Sequence, residues 1–305
     1  MEPVTGPLDL SRLESAVARL RDSTRSRSLR RVGLTFAVIV FCIGTVFAMQ
    51  QVDLPAGGLE IRPLLLLVLA GIPATILLNT LEMELSAKLL GRRFGFLQAL
   101  ATTIMASAAN MLPLPGAAMV RVAGLSGLGA SVREGGSVTV ALALLWVGVA
   151  TAMTGAFLVA VGPAVAAIVI AGGLTATFVS MRMLVRTSGE VRLALAALVI
   201  RCAMVLVAVL RLLLCFQMLG LEASLGQIMV FAVSGVAGSA VSIVPAGLGV
   251  RELVSSAMAP LAGIAPAAAF LATALDRLVE LFVLLALAVP LALLGRNGPP
   301  RSQEP

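Results

Sequence analysis

Long apolar segments, separated by short polar or charged stretches, dominate the pattern along this chain. Six of them approach or exceed the roughly 20 residues that a helix needs to cross a bilayer. They cover about 33–50, 63–88, 136–160, 164–181, 193–217 and 266–294. The alternation typical of a membrane β-barrel is absent from the sequence. The pattern predicts an all-α polytopic membrane protein with about six transmembrane helices.

Two further apolar segments, 97–128 and 225–262, are interrupted by Pro and Gly. Each half is too short to span comfortably, so we predict two broken re-entrant helical hairpins. If each half crossed fully, the protein would have more spans, with both termini still on the inside. The predicted hairpin turns contain Pro113, Pro115, Gly116, Pro245, Gly247 and Gly249.

The order of span, span, hairpin and span occurs twice. Residues 33–160 form the first predicted membrane repeat, and residues 164–294 form the second. Three spans separate their starting points, so the repeats are predicted to be inverted, with hairpins that meet near the midplane. Residues 1–32 are predicted to be a basic amphipathic cytoplasmic segment. Residues 295–305 are predicted to be a disordered cytoplasmic tail.

Composition and charge agree with this class. Hydrophobic residues make up 59% of the chain and charged residues 12%, which excludes an ordinary soluble domain. The net charge of +7 lies mainly in the N-terminal segment and in short loops, as the positive-inside rule expects, and not in a nucleic-acid-binding motif. We therefore expect a multi-pass protein of the cell membrane with cytoplasmic termini. The basic residues that mark the cytoplasmic loops are Lys88, Arg92, Arg93, Arg182, Arg186 and Arg192.

The sequence offers little for metal binding or catalysis. It contains no His, and its cysteines, Cys42, Cys202 and Cys215, lie singly in apolar segments. No metal-ligand spacing, nucleophile constellation or nucleotide-binding loop occurs. We therefore expect no cofactor, no metal and no enzymatic activity.

Two motifs carry a family resemblance. The first is Asn110-x-x-Pro113-x-Pro115-Gly116, followed by Arg121. The second is Ser242-x-x-Pro245-x-Gly247-x-Gly249-Val250-x-Glu252, followed by Arg277. Together they resemble the transmembrane domain of lysylphosphatidylglycerol synthases, a family that includes stand-alone flippase-like proteins. The resemblance covers about 33–294 and implies lipid transport. Ala117 and Ala118 stand where the family often has an acidic residue, and no synthase domain follows before Pro305, so synthase activity is not expected.

Charged residues within apolar segments are the candidates for function, because they are costly in a bilayer without partners. The predicted substrate-binding residues are Asn110, Arg121, Arg251, Glu252 and Arg277. Each also has a structural alternative, such as helix capping by Glu252 or a salt bridge by Arg277. Arg201 and Arg211 are expected to snorkel towards opposite membrane surfaces. Glu82 has no evident local partner.

Asp276 and Glu280 are predicted to serve in ion or proton coupling. They lie four residues apart on one helix face, where like charges repel unless a cation sits between them. The predicted function is transport of an anionic or phosphate-bearing lipid. The alternative is a non-transporting membrane partner of a lipid or cell-envelope biosynthesis enzyme. The expected partners are anionic membrane lipids, a second copy of the chain or such an enzyme, and not nucleic acid.

Overall fold

The structure, a computed structural model, describes residues 27–52, 59–109, 116–159, 162–240 and 249–296. These residues are mostly helical, and no strand occurs among them, which confirms the predicted all-α class. In chain order the helices are α1 (Arg27–Gln51), α2 (Ile61–Leu89), α3 (Phe96–Ala109), α4 (Gly116–Gly127), α5 (Val132–Leu158), α6 (Pro163–Ser188), α7 (Val191–Met218), α8 (Leu225–Met229), α9 (Ala232–Ala240), α10 (Val250–Met258) and α11 (Pro266–Arg296).

Four of these helices, α2, α5, α6 and α7, are long and apolar enough to cross a membrane. They contain 26 to 29 residues each. At 1.5 Å per residue they are about 40 Å long, which exceeds the roughly 30 Å hydrocarbon core of a bilayer. The segments predicted as first and last spans also form helices, α1 with 25 residues and α11 with 31. The total of six spans stays a prediction.

Helix α6 is longer than the predicted span 164–181. Arg182 and Arg186, which we expected in a loop, lie exposed in its last turns. The helix continues because exposed arginines at a helix C-terminus interact favourably with the helix dipole. It ends at Gly189, which adopts the left-handed conformation (φ 74°) that glycine tolerates best.

Helices α2 and α7 pack against each other in antiparallel orientation. The amide of Glu60, just before α2, donates a hydrogen bond to the carbonyl of Met218 at the end of α7 (3.1 Å). Near the other end, Glu82 contacts Arg201. Arg92, exposed after the end of α2, and Arg192, exposed in the first turn of α7, therefore lie at the same end of this helix pair.

Helix α2 contains one wide turn, a π-helical turn at Leu67–Gly71. The amide of Ile72 donates to the carbonyl of Leu67, five residues earlier. Gly71 lies against Arg211 of α7, where a Cβ atom would come within 2.9 Å of the arginine Cγ. The glycine therefore makes room for the arginine stem in the helix interface.

Glycines also allow α5 and α6 to approach closely. A Cβ atom on Gly173 would lie 2.8 Å from the Cα of Ala152, and one on Gly155 would lie 2.9 Å from the backbone nitrogen of Ile170. The Ser180 hydroxyl donates to the Ala141 carbonyl across the same interface (2.6 Å). Such backbone contact is typical of membrane helix pairs, in which small residues form the interface.

The first broken segment forms a hairpin of two short helices, α3 and α4. A Cβ on Gly116 would lie 2.7 Å from the carbonyl carbon of Ala109, and one on Gly124 would lie 2.9 Å from the Thr102 methyl group. The start of α4 therefore meets the end of α3, and a later residue of α4 meets an earlier residue of α3, so the two arms are antiparallel. With 14 and 12 residues, the arms measure about 21 and 18 Å, too short to span a bilayer singly.

The second broken segment comprises α8, α9 and α10, followed by a 3₁₀ turn at Ala259–Ala262. Helices α9 and α10 have nine residues each and are also shorter than a bilayer crossing. Several predicted residues lie outside the described part of the chain, namely Asn110, Pro113, Pro115, Pro245 and Gly247. Most of the predicted N-terminal segment (1–26) and the tail from 297 also lie outside it.

Candidate functional site

Both broken segments line one partly open cavity of about 250 Å³. Ser107 of α3 and Arg251 of α10 belong to its wall, and so does Trp146 of α5. Helix α7 contributes an apolar side that runs from Val205 to Leu212. The cavity is thus the place where the predicted hairpins and the long helices converge.

One end of this cavity is charged. Arg251, Arg277 and Glu280 line it, whereas most of the remaining wall is aliphatic or aromatic. The cavity therefore combines a polar end with an apolar side, which suits an amphiphilic ligand.

The charged end belongs to a larger set of ion pairs, which we call the α11 network. Arg211 of α7 lies at its centre, because its Nη2 atom is 2.8 Å from both Asp276 Oδ1 and Glu280 Oε2. Arg211 also donates to the Thr75 hydroxyl of α2 (3.0 Å). The cation expected between the two carboxylates is therefore supplied by the chain itself. The network contains Arg211, Arg251, Glu252, Asp276, Arg277 and Glu280.

Arg251 and Arg277 extend the α11 network to the helix that follows the second break. Arg251 Nη2 lies 3.1 Å from Asp276 Oδ2, and Arg277 Nε lies 3.2 Å from Glu252 Oε1. Glu252 also accepts a hydrogen bond (2.7 Å) from the amide of Gly249, which has φ 84° and directly precedes α10. Glu252 therefore caps α10 and also forms a salt bridge with Arg277. The two structural alternatives named for these residues occur together.

Some donors of the α11 network remain unused. Within the described residues, Arg277 Nη1 and Arg251 Nε are buried without a hydrogen-bond partner. Both arginines line the cavity, and a buried donor without an acceptor costs about 1–3 kcal/mol.

A second set of buried charges, which we call the Glu82 network, lies at another level of α7. Glu82 is fully buried and pairs with Arg121 of α4 and with Arg201 of α7, whose Nε atom is 2.7 Å from Glu82 Oε2. Arg121 also donates to the side chain of Asn79 (2.7 Å). Glu82 therefore has two cationic partners, both of them distant in the sequence.

The structure groups the predicted site residues in two places. Arg251, Glu252, Asp276, Arg277 and Glu280 come together in the α11 network, whereas Arg121 lies in the Glu82 network. Of the predicted turn residues, Gly116 begins α4 and Gly249 precedes α10. No group of three or more His, Cys, Asp and Glu side chains in the described regions is arranged to hold a metal ion.

The expectation that Arg201 and Arg211 snorkel to the membrane surfaces was wrong. Both are buried, with 6% and 4% of their surface exposed, and both are paired with carboxylates. Snorkelling is favourable for a cation that would otherwise face lipid, but these arginines face the protein interior. The sequence did contain a signal for this pairing. Glu82, Asp276 and Glu280 lie in other apolar segments, and charges within a membrane usually pair with one another.

The sequence matches no family model, and no curated protein matches it.

Proposed function

We propose that this protein is an integral membrane transporter of the flippase-like class, which moves an anionic, phosphate-bearing lipid across the cell membrane. The observation that carries the proposal is the cavity with Arg251 and Arg277 at one end and an apolar wall along α7. The resemblance of both sequence motifs to the flippase-like family supports the same conclusion.

The proposal includes six spans in two inverted repeats, with cytoplasmic termini. Helices α2 and α7 are the second spans of the two proposed repeats, and their antiparallel packing is what an inversion requires. The exposed basic residues Arg92 and Arg192 lie at one end of this pair, which fits a cytoplasmic face.

The size and chemistry of the cavity favour a lipid headgroup. Pockets for drug-sized ligands measure about 300–1,000 Å³, so a cavity of about 250 Å³ holds a headgroup and not a whole lipid. Arg251 and Arg277 line the charged end of the cavity, and guanidinium groups are favoured partners of phosphate oxygens. The acyl chains would remain in the bilayer.

We do not assign ion coupling to Asp276 and Glu280. Arg211 occupies the position between their carboxylates at 2.8 Å from each, so a coupling cation would have to displace it. We instead propose that these carboxylates orient Arg211 and Arg251. Their negative charge also balances the arginines when the cavity holds no ligand.

The test is lipid translocation by purified protein in liposomes, with fluorescent lipids that carry anionic or zwitterionic headgroups. We expect faster movement of anionic lipids, and loss of that movement in the Arg251→Ala/Arg277→Ala variant. Arg192→Ala is the matched control, because it removes an exposed arginine far from the cavity.

Each result has a defined meaning. Unchanged transport in the folded double variant would refute the assignment of these arginines. No transport of any lipid by folded wild-type protein would refute the transporter proposal. Copurification of a lipid or cell-envelope enzyme with such an inactive protein would instead support the non-transporting partner.

A further inference from the structure

The Glu82 network lies close to the cavity, next to Trp146. The ring of Trp146 lines the cavity, and the guanidinium carbon of Arg201 lies 6.0 Å from the ring centre. Val205, one helical turn after Arg201, also lines the cavity. Trp146 therefore borders both the cavity and Arg201.

The two networks lie at different depths. Arg201 and Arg211 are ten residues apart on α7, which corresponds to a rise of about 15 Å. Val205, Ala208 and Val209, which line the apolar side of the cavity, lie between them. If α7 spans the bilayer, the networks are separated by about half of the roughly 30 Å hydrocarbon core.

The networks also differ in charge balance. The α11 network pairs three arginines with three carboxylates and is neutral. The Glu82 network pairs two arginines with one carboxylate, which leaves a charge of +1. In the described regions, the charged groups that act on Arg201 are Glu82 and Arg121. A buried charge without a counter-charge is costly, so the excess favours binding of an anion.

Arg201 has donors available for such an anion. Its Nε atom faces Glu82, and its Nη1 atom lies 3.8 Å from the sulfur of Met204, which is a weak acceptor. Its side chain is 7% exposed, and that of Arg121 is 20% exposed. Arg121 already donates to Glu82 and Asn79, so an oxyanion between the two guanidinium groups would chiefly satisfy the Arg201 donor that has only a sulfur acceptor.

We propose that Arg121 and Arg201 form a second anion site, which takes a phosphate or carboxylate group and lies next to the ring of Trp146, which also borders the cavity. This inference rests on the proposed function, because two sites at different depths would give a headgroup successive positions along its path. Movement of the Trp146 ring would then connect the two sites.

The experiment uses the intrinsic fluorescence of Trp146, which is the single tryptophan of the chain. Full-length protein in detergent micelles is titrated separately with inorganic phosphate and with a short-chain phosphatidic acid, and a short-chain zwitterionic lipid is the chemical control. We expect two anion-binding phases, since Trp146 borders both sites. A phase that saturates with inorganic phosphate but not with the lipid would identify a site for a free anion. A phase that saturates with the lipid but not with phosphate would identify a headgroup site.

Variants assign the phases to the sites. Arg201→Gln leaves the balanced pair of Glu82 and Arg121, so we expect it to fold and to weaken one phase about tenfold or more, as expected for the loss of a charged hydrogen bond. Arg121→Gln should weaken the same phase. Arg277→Gln should weaken the other phase, and Arg192→Gln should change neither.

The second site would be overturned if folded Arg201→Gln and Arg121→Gln proteins bound both anions as the wild type does. Circular dichroism and thermal melting establish whether each variant is folded. If these variants bound anions normally and the wild-type protein moved lipid, the second site alone would be rejected. Arg201-dependent binding by a protein that moves no lipid would reject the transport proposal and retain the site.

Discussion

Arg211 offers the sharpest test of the buried charge networks. Replacing it with Met keeps an unbranched side chain but removes the guanidinium that contacts Asp276, Glu280 and Thr75. Removing one partner of a buried ion pair costs about 3–5 kcal/mol, because it leaves an uncompensated buried charge. We therefore expect Arg211→Met to lower the free energy of unfolding substantially.

The magnitude lies near the lower end of this range. Asp276 keeps Arg251 as a partner at 3.1 Å, and Glu280 is 30% exposed, so neither carboxylate is left entirely without compensation. We expect a loss of about 3 kcal/mol, which is roughly a hundredfold change in the unfolding equilibrium. Unfolding by sodium dodecyl sulfate in mixed micelles, followed by circular dichroism, measures this difference.

The control uses the same substitution on the same helix. Arg192 lies exposed in the first turn of α7, so Arg192→Met should change the free energy of unfolding by no more than about 0.5 kcal/mol. If Arg211→Met were equally mild, Arg211 would not hold the network together, and the reasoning from its ion pairs would be refuted.

A double-mutant cycle isolates the pair that Arg211 forms with Glu280. Once Arg211 is gone, Glu280→Gln removes a carboxylate that has lost its partner, so the two substitutions together should cost less than the sum of their separate effects. We expect a coupling energy of about 1 kcal/mol, within the range for residues in one ion-pair network. Additive effects would show that the two side chains do not interact.

Three further predictions concern packing, topology and helix capping. Gly173→Leu should destabilise the protein by about 2 kcal/mol or more, because the new side chain meets the backbone of α5, whereas Gly172→Leu, with open space beside it, should be mild in the same unfolding assay. In a background without the three native cysteines, Arg92→Cys and Glu222→Cys should react with an impermeant thiol reagent from opposite sides of sealed vesicles; labelling from one side would refute the inverted arrangement. Glu252→Ala should cost about 3 kcal/mol by thermal unfolding, and Glu252→Gln should cost less, because it retains an oxygen for the cap of α10; equal losses would exclude a role for the cap.

The sequence predicted the helices well, because their signal is local. An apolar run of about 20 residues indicates a spanning helix, and α2, α5 and α7 lie within a few residues of the predicted bounds. The capping role of Glu252 was equally accessible, since Gly249 and Glu252 are three residues apart on the chain. Two of the predicted turn residues lie within the described regions, where Gly116 begins α4 and Gly249 directly precedes α10.

The ion pairs could not be predicted in the same way. Glu82 and Arg201 are distant in the sequence, and their contact depends on how far α2 and α7 are shifted along each other. Helix α7 is apolar around most of its surface, so periodicity did not show which side of Arg201 and Arg211 faces protein. The spacing of Asp276 and Glu280 suggested a site for a coupling ion or proton, and it did not indicate that Arg211 of another helix pairs with both.

The wide turn at Leu67–Gly71 determines which way the remainder of α2 faces. Each residue rotates an α-helix by about 100°, so the same residues wound as a regular α-helix, without the wide turn, would rotate everything from Ile72 onwards by about that angle. Glu82 would then leave Arg121 and Arg201, and a carboxylate in lipid costs about 2.5–3.5 kcal/mol at the bilayer centre. A related protein without the extra residue would form a regular helix here and keep its acidic residue facing the same arginines, so a one-residue deletion within Leu67–Gly71 should be tolerated better than one elsewhere in α2.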